Sequence, residues 1–465
     1  YNGYTLFAFG GGNSGAALLI DMEGNVVRTW EHIDNPKLYE DGHLIGGTGI
    51  GFKEVDWDDN IVWEWKPPED KAYIKPHHDM WRIYNPKLEE HTYIGVAQYY
   101  PTQEEVVAAG CDPSKDYTGV YPDGFVEVDK EGNIIWEWSF HEHGIQDVNP
   151  EWPNYVGEGK TIADYPGKVD LNWLTDQNAQ SANPVAGVTR DWQHANSLDY
   201  NEELDHVVIN SKHWSEFCVI DHGATFVPGD PEKSKELSAS EKGDILYRFG
   251  NPSTYQQGDP PGFMNEGHQQ MYGSHNIQWI KKGLPGEGNF LIFNNGCYNP
   301  TGFRSEILEI NPYLGADGKI AGNYVNPPDA GYDRQTKDSN QIVWNFKSVR
   351  ENSFYSYYIS GCQRLANGNT LVCSGATGHF FEVTPEGEIV WEFISPINSQ
   401  TGLAVPIQKD SDDRAFHVFR AYRYAPDYPG LAGKDLTTKG SMLELYADKP
   451  VVKVSALPTK AKKGP

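Results

Sequence analysis

Long apolar segments and cysteines are both scarce in this chain of 465 residues. No hydrophobic run approaches the roughly 20 residues that cross a bilayer, so we expect a protein that is not embedded in a membrane. The five cysteines form no Cys-x-x-Cys motif and no dense framework, which argues against a small disulfide-built domain. Because five is an odd number, at least one cysteine is unpaired if all disulfides are internal, and the redox compartment stays open.

Basic residues are also few. The chain has 38 Lys and Arg against 65 Asp and Glu, a formal net charge of −27. Such a charge repels phosphate backbones and anionic lipid, so we expect no nucleic-acid partner, and a well solvated acidic surface explains it. A chain that begins at Tyr1 is typical of a mature exported protein after removal of its signal peptide, and equally of a chain trimmed at its start.

One twelve-residue phrase recurs along the chain. It reads "DKEGNIIWEWSF" from Asp129, and copies are "DMEGNVVRTWEH" from Asp21, "DWDDNIVWEWKP" from Asp56, "EKGDILYRFGNP" from Glu241, "DSNQIVWNFKSV" from Asp338 and "TPEGEIVWEFIS" from Thr384. An acidic residue with Gly-Asn predicts a turn, and the alternating Ile, Trp and Phe predict strands with a buried face. The shortest intervals between copies approximate one blade of a β-propeller, which is a four-stranded sheet.

A second strand-turn-strand phrase precedes the later copies and supplies the other two strands of each blade, as in "SHNIQWIKKGLPGEGNFLIFNNG" from Ser274. The last such hairpin, "AFHVFRAYRYAPDYPGL", lacks a following partner, and the first copy lacks a full preceding pair. We therefore predict an all-β fold, a six-bladed propeller whose N- and C-terminal strands share one blade, over residues 1–450 with a tail at 451–465. Long insertions at 141–192 and 313–340 are expected to lie over the axial site.

Histidines recur where the innermost strand of successive blades is predicted to begin. His77 and His78, His194 and His275 take this place in three blades, and Cys362 takes it in a fourth. Equivalent positions of a propeller lie at similar depth around one axis, so the pattern predicts a shared functional site there. Strand alternation lets only one of the neighbours His77 and His78 face the axis.

Further polar residues extend this candidate site. Lys212 and His213 follow the strand after His194, where a cation suits an anionic substrate. Asn196, one alternation from His194, is expected to orient a substrate or an imidazole. Asn295 and Arg304 follow the strand paired with that of His275, and Arg304 is a candidate oxyanion contact.

The combination of "GYTLFAF", "HHDM", "QHANSLDY" followed by "INSKH", "SHN" followed by "FNNG", and "SGCQRLANGNTLVCSGATGHFFEVTPEGEIVWEF" resembles the bacterial arylsulfate sulfotransferase family over nearly the whole chain. The resemblance implies a six-bladed propeller, usually periplasmic or secreted, that moves a sulfuryl group from an aryl sulfate ester to a phenol without a nucleotide sulfate donor. It implies that His275 is transiently sulfated, with His194 and one of the His77/His78 pair beside it, and that no cofactor is needed. Lys212 stands where the family has Arg, and this replacement loses the bidentate fork of the guanidinium.

The mechanism implied by the resemblance is attack of neutral His275 on sulfur, with the developing charge offset by Lys212, His194 and a protonated His77 or His78. A copper or iron oxidoreductase is the alternative, with His78, His194, His213 and His275 as ligands and a cysteine nearby. A non-catalytic propeller that binds small anions or a protein is a third reading. The sequence leaves a homodimer open, and Trp152, Tyr155 and Trp173 are expected either to stack on a phenol or to pin their loop.

Overall fold

The computed structural model describes residues 1–10, 16–31, 33–47, 50–173, 184–185, 188–326, 339–348, 354–407 and 415–451. Six antiparallel sheets of four strands form a ring, which confirms the six-bladed β-propeller. Of the predicted tail at 451–465, only Val451 is among the described residues.

The strands follow in chain order. Blade 1 contains β1 (Tyr4–Phe9), β2 (Ala17–Ile20) and β3 (Val26–Trp30); blade 2 contains β4 (Asp34–Leu38), β5 (Leu44–Gly47), β6 (Phe52–Val55) and β7 (Ile61–Trp65). Blade 3 contains β8 (Ile74–Asn85), β9 (Glu90–Tyr99), β10 (Asp123–Val128) and β11 (Ile134–Ser139). Two short sheets pair β12 (Gly144–Ile145) with β13 (Val169–Asp170) and β14 (Pro184–Val185) with β15 (Val188–Thr189).

Blade 4 contains β16 (Ala195–Asn201), β17 (His206–Ser211), β18 (Glu216–Asp221) and β19 (Ile245–Phe249). Blade 5 contains β20 (His275–Trp279), β21 (Phe290–Asn294), β22 (Glu306–Ile310) and β23 (Ile342–Lys347). Blade 6 contains β24 (Gly361–Arg364), β25 (Thr370–Ser374), β26 (His379–Val383) and β27 (Ile389–Ile394), and β28 (Val418–Tyr424) follows it. The α-helices of the described ranges are α1 (Gln103–Ala108), α2 (His222–Thr225), α3 (Pro231–Ser238) and α4 (Met442–Tyr446), none of which is long and apolar enough to cross a bilayer.

The ring closes through the two ends of the chain. β28 pairs antiparallel with β1, from Tyr4 opposite Tyr424 to Phe9 opposite Val418, so the last strand is the innermost strand of blade 1. This confirms the predicted shared blade. Pairing the two ends removes the exposed strand edges that an open array of blades would carry.

The tryptophans of the recurring phrase connect one blade to the next. Trp63 Nε1 donates a hydrogen bond to the Lys130 carbonyl at 2.9 Å, and Trp391 Nε1 donates one to the Met22 carbonyl at 3.0 Å. Both acceptors lie in the turn of the phrase in the following blade. The acidic residue at the start of the phrase fixes that turn, as where Asp129 Oδ1 accepts from the Asn133 amide at 2.8 Å. The phrase recurs because each turn serves both its own hairpin and its neighbour.

The innermost strands β4, β8, β16, β20, β24 and β28 all run in one direction, because each blade is an antiparallel meander. Their amino ends define one face, here called the amino face, and their carboxyl ends define the carboxyl face. The insertion at 141–192 connects blade 3 to β16, and its described parts next to these strands, 141–173 and 188–192, lie on the amino face. The insertion at 313–340 connects the third and fourth strands of blade 5. Its described residues 313–326 therefore lie on the carboxyl face, where Tyr324 packs on His206 at the start of β17 with ring centroids 5.8 Å apart. For these described residues the prediction that the second insertion covers the axial site was wrong.

A buried charged cluster stabilises the interface between blades 3 and 4. His222 lies between Glu127, with Nε2 to Oε2 at 2.8 Å, and Asp205, with Nδ1 to Oδ1 at 2.6 Å. Burial alone would lower the pKa of the His222 imidazole, but these two carboxylates raise that pKa to about 9. The folded protein therefore binds a proton here that the unfolded chain releases above its ordinary pKa of about 6.5.

We expect this proton to make the free energy of unfolding depend on pH. The contribution of His222 is fully present below pH 6.5 and is lost as pH rises through about 9, a fall of about 3 kcal/mol. Urea unfolding at pH 6 and pH 9.5 should show this extra fall in the wild type and not in His222→Gln. His91→Gln, at an exposed histidine, is the matched control and should keep the wild-type dependence. Equal pH dependence in wild type and His222→Gln would contradict the assignment.

Candidate active site

The innermost strands begin at the amino face with breaks in their pairing. The register shifts between Pro76 and Met80 in β8, and between His275 and Gln278 in β20. His78 and His194 have φ of 54° and 48°, a left-handed conformation that residues other than glycine rarely adopt. Bulges of this kind re-aim side chains, and strained backbone concentrates at functional sites.

The bulge in β8 brings both of its histidines together. His77 Nδ1 and His78 Nδ1 share a hydrogen bond of 2.5 Å, and His77 Nε2 contacts Asp123 Oδ1 at 2.9 Å. The His78 ring lies 5.1 Å from the His194 ring, centroid to centroid. The two rings are thus in contact, with centroids 4.8 Å apart, where a regular strand would direct them to opposite faces. His78 is the member of the pair that contacts the second imidazole.

His275 is held in one tautomer. Its Nδ1 lies 2.7 Å from Asn295 Oδ1 and 3.1 Å from the Gly273 carbonyl oxygen. Asn295 Nδ2 donates to the carbonyls of Ser356 and Ile359 at 2.7 and 2.8 Å, so the amide oxygen must face the imidazole. Both neighbours of Nδ1 are acceptors, and Nδ1 therefore carries the hydrogen. The lone pair of His275 lies on Nε2.

His275 is also kept neutral. Burial lowers the pKa of the His275 imidazole well below its ordinary value, and the Lys212 ammonium lowers it further. The ring is only 3% exposed. Burial and the neighbouring His77 likewise lower the pKa of His78. A neutral imidazole with a free Nε2 lone pair is the form that attacks an electrophile.

A carboxylate and two imidazoles lie beside this nucleophile. His194 Nδ1 contacts Asp191 Oδ2 at 2.6 Å, and the rings of His194 and His213 are 4.9 Å apart. Burial opposes ionisation of Asp191, but the hydrogen bond and charge of His194 lower its carboxyl pKa. Burial lowers the pKa of His213 to about 4, and its Nδ1 donates to the Asp191 carbonyl at 2.9 Å. Asp191 thus gives His194 a carboxylate partner, as Asp123 does for His77.

Lys212 supplies a cation to the same space. Its backbone amide donates to the His194 carbonyl at 3.4 Å, and its half-buried side chain passes Gly273, where an ideal Cβ would lie 3.8 Å from Lys212 Cγ. Within the described ranges, Lys212 makes no ion pair with an acidic side chain. An ammonium group without a protein anion beside a neutral nucleophile forms a site for an anionic group.

A second cation lies deeper on the axis. Arg420 of β28 donates from Nη1 to Asp79 Oδ2 at 2.8 Å and from Nη2 to the Asn196 carbonyl at 2.9 Å, and Lys37 Nζ contacts Asp79 Oδ1 at 2.5 Å. All three charged groups are buried. Arg420 contributes to the low pKa of both His78 and His275. The buried Lys37–Asp79–Arg420 layer closes the axis beneath the histidines.

Asn196 has a different place from the one predicted. Its side chain is fully buried, its Nδ2 donates to the Ser274 carbonyl at 2.8 Å, and its Oδ1 accepts from Asn210 at 3.0 Å. Both polar ends are therefore used inside the protein, and Asn196 fixes the residue before His275. Any orienting effect of Asn196 on an imidazole therefore acts through the backbone before His275, because both ends of the amide are bound within the interface between blades 4 and 5.

Arg304 also differs from its predicted role. The guanidinium is half exposed and lies 3.4 Å from Glu306 Oε1 and 3.8 Å from Glu266 Oε1. These carboxylates offset its charge, so the structure does not place Arg304 as the predicted oxyanion contact.

The cysteines near the axis are buried and free, and burial raises the pKa of Cys297 to about 11, which keeps this thiol protonated.

A row of aromatic rings leads to the surface beside the site. Ring centroids are 5.5 Å apart for Phe303 and Tyr355, 6.4 Å for Tyr355 and Tyr357, and 4.6 Å for Tyr357 and Tyr358. Phe303 and Tyr357 are 52% and 40% exposed. The loop that carries the three tyrosines also supplies the carbonyls of Ser356 and Ile359, which accept hydrogen bonds from Asn295. By contrast Trp173 packs on Trp214 at 6.2 Å and pins its insertion.

One group of side chains near the axis has the spacing of metal ligands. Asp191, His194 and His213 offer ligand atoms that all lie within 4.8 Å of one another. Of the four ligands predicted for copper or iron, this group contains His194 and His213. It adds Asp191, which the sequence pattern did not indicate because it precedes the strand within an insertion.

Comparison with known proteins gives one family match and several remote structural similarities. The family model described as arylsulfotransferase (ASST) matches residues 11–419. No curated protein matches the chain significantly. Among solved structures, a protein of unknown function from Bacteroides caccae is similar over 90% of this chain and 98% of its own, with 10% identity and a TM-score of 0.45. Virginiamycin B lyase from Staphylococcus aureus is similar over 86% of each chain, with 9% identity and a TM-score of 0.35.

The two structural similarities are too remote to support an argument about function. The family match covers most of the chain and includes every histidine of the axial site. The chain therefore belongs to the arylsulfotransferase family and is a transferase of the aryl sulfate class.

Proposed function

We propose that this protein transfers a sulfuryl group from an aryl sulfate ester to a phenolic acceptor through a sulfohistidine at Nε2 of His275, without a nucleotide sulfate donor. The observation that carries the proposal is the hydrogen bonding of His275. Asn295 and Gly273 occupy its Nδ1, so the neutral ring has its lone pair on Nε2. The Lys212 ammonium beside it suits the anionic sulfate ester.

In the first half-reaction the Nε2 lone pair of His275 attacks sulfur, and the N–S bond forms as the bond from sulfur to the aryl oxygen breaks. The electron pair of that bond leaves on the phenolate oxygen. Lys212 stabilises the charge on the sulfuryl oxygens, and the buried Arg420 adds a fixed positive potential beneath them. Asn295 and Gly273 hold the hydrogen on Nδ1 throughout, which stabilises the cationic ring of the intermediate.

His194 suits the role of acid and base. A protonated His194 gives its Nε2 proton to the departing phenolate, and the neutral ring later takes the proton of the acceptor phenol. The acceptor oxygen then attacks sulfur, the N–S bond breaks, and its electron pair returns to Nε2 of His275. Asp191 stabilises the protonated ring of His194 at 2.6 Å. A protonated His78 does not suit this role, because burial lowers its pKa well below the ordinary range.

The aromatic row offers a surface for the aryl groups of donor and acceptor. Tyr355 of this row interacts electrostatically with Cys297, and Cys297 interacts with the charge of Lys212. The row therefore ends near the anion site. Exposed aromatic faces at Phe303 and Tyr357 suit stacking with a phenol. The proposal thus combines an apolar surface for the ring with a cation for the sulfate.

Metal-dependent oxidation is a second candidate, favoured by the spacing of Asp191, His194 and His213. The Asp191 carboxylate already accepts a hydrogen bond from His194, and Lys212 lies next to His213 in the chain, so a divalent cation would meet a positive neighbour. Metal removal separates the two candidates.

We expect turnover of 4-nitrophenyl sulfate with excess phenol to survive treatment with a chelator. The assay follows nitrophenolate release by the full chain before and after chelation, with metal content measured on the untreated sample. Unchanged turnover supports sulfuryl transfer by protein groups alone. Loss of turnover on chelation that copper or iron restores, or no turnover together with stoichiometric copper or iron, would contradict the proposal and support the oxidoreductase.

A further inference from the structure

The propeller axis contains a cavity on the carboxyl face, away from the histidines. It has a volume of about 210 Å³ and is lined by residues from five of the six innermost strands, including Lys37, Trp81, Trp279, Arg364 and Tyr422, together with Lys281 just after β20. The buried Lys37–Asp79–Arg420 layer separates it from the candidate active site. The cavity is therefore distinct from the site proposed for sulfuryl transfer.

The lining of this cavity is cationic although the protein as a whole is strongly acidic. Among the residues that the structure describes, Lys37, Lys281 and Arg364 line it and no Asp or Glu does. Each cation is held from behind by a buried carboxylate: Lys37 by Asp79 at 2.5 Å, Lys281 by Asp199 at 2.7 Å and Arg364 by Glu309 at 2.5 Å. Carboxylates placed behind a wall of cations orient the positive ends toward the cavity and suit an anionic ligand.

Aromatic side chains supply the rest of the wall. The Trp81 ring lies between two ammonium groups, with Lys37 Nζ 4.4 Å and Lys281 Nζ 5.4 Å from its centroid. Tyr422, Tyr424 and Tyr428 also line the cavity. Flat apolar surfaces next to cations favour a ligand that has both a ring and a negative charge.

We infer that this cavity is a second binding site, which takes a small aromatic oxyanion with one ring and a carboxylate or sulfate group. The cations recognise the oxyanion, and Trp81 with the tyrosines recognises the ring. The volume limits the ligand to a single ring. Binding here requires neither His275 nor any step of sulfuryl transfer.

The test is calorimetric titration of 4-nitrobenzoate into the full chain that carries His275→Asn and Lys212→Met, so that the site at the amino face is disabled. We expect one equivalent to bind. Lys281→Gln in this background should weaken binding by about tenfold, since it removes one charge and leaves an amide to hydrogen-bond Asp199. Lys282→Gln is the matched control, because Lys282 is exposed, pairs with Glu203 and does not line the cavity.

The ligand class is tested with inorganic sulfate, which has the oxygens but no ring. Sulfate should compete with 4-nitrobenzoate and bind about tenfold more weakly. Sulfate that binds as tightly would overturn the aromatic part of the assignment. No binding of 4-nitrobenzoate, or equal affinity in the Lys281→Gln and Lys282→Gln proteins at equal melting temperature, would overturn the site itself.

Discussion

Replacing His275 by Asn should lower the turnover of 4-nitrophenyl sulfate by about 10³-fold or more, because the reaction then lacks the atom that attacks sulfur. Asn is close to His in size and can keep a hydrogen bond to Asn295, so the buried wall should remain intact. Melting temperatures near that of the wild type would confirm that the fold survives. His91→Asn, at an exposed histidine, is the control and should keep full activity.

The covalent step gives a second readout for the same variant. Without a phenolic acceptor, the wild type should release a burst of nitrophenolate of about one equivalent and retain a sulfuryl group on the peptide that contains His275, as seen by mass spectrometry under alkaline conditions. The His275→Asn protein should show neither. A variant that keeps a tenth of the activity, or a sulfuryl group found on another residue, would exclude His275 as the nucleophile.

Much of the architecture could be predicted because each copy of a sequence repeat corresponds to one blade. Six copies of one hairpin phrase give the blade count, and the unmatched hairpins at the two ends give the closure. The direction of the strands would also have placed the start of the insertion at 313–340 on the carboxyl face. This insertion joins the third and fourth strands of a blade, and the third strand runs parallel to the innermost one. That error came from treating both insertions alike.

The site could be predicted only where it repeats. Alignment of blades brought out His78, His194 and His275, because each lies at or near the start of an innermost strand. Asp191 lies in an insertion, and Arg420 lies in the middle of β28, an innermost strand that contains no histidine, so neither shares the pattern. For Arg420 a signal does exist, since a charged residue in the middle of the apolar strand "VFRAYRY" must have a buried partner.

Rules of regular strands failed where the backbone departs from a regular strand. Strict alternation separated His77 from His78, but the bulge and the left-handed backbone at His78 bring the two rings together. Asn196 was expected to orient a substrate or an imidazole because it lies one alternation along the strand from His194. The amide instead holds the carbonyl of Ser274, a long-range contact that a single sequence does not encode visibly.

The electrostatics of the site depend on one cation that is free to meet a substrate. Beneath the histidines Arg420 is bound to Asp79, whereas Lys212 makes no ion pair with an acidic residue of the described ranges. The same ammonium lowers the pKa of His275 and thus favours its neutral form. Lys212 is therefore expected to act twice, on the charge of the donor and on the protonation state of the nucleophile.

Replacing Lys212 by Met should lower kcat/KM for 4-nitrophenyl sulfate by about 10²- to 10³-fold, the effect of removing one group that stabilises an oxyanion. It should also raise the pKa of His275, because the nearby positive charge is lost. Attack requires the neutral ring, so the acidic limb of the pH profile should move to higher pH in Lys212→Met.

Lys212→Arg restores the residue that the arylsulfotransferase resemblance implies, and it should keep at least wild-type kcat/KM because the guanidinium retains the charge and adds a bidentate fork. Lys130→Met, at an exposed lysine paired with Glu90, is the matched control for loss of one positive charge. Comparable activity in Lys212→Met and Lys130→Met would show that Lys212 does not bind the sulfate. Loss of activity without a shift of the acidic limb would instead limit Lys212 to the donor and leave burial alone to keep His275 neutral.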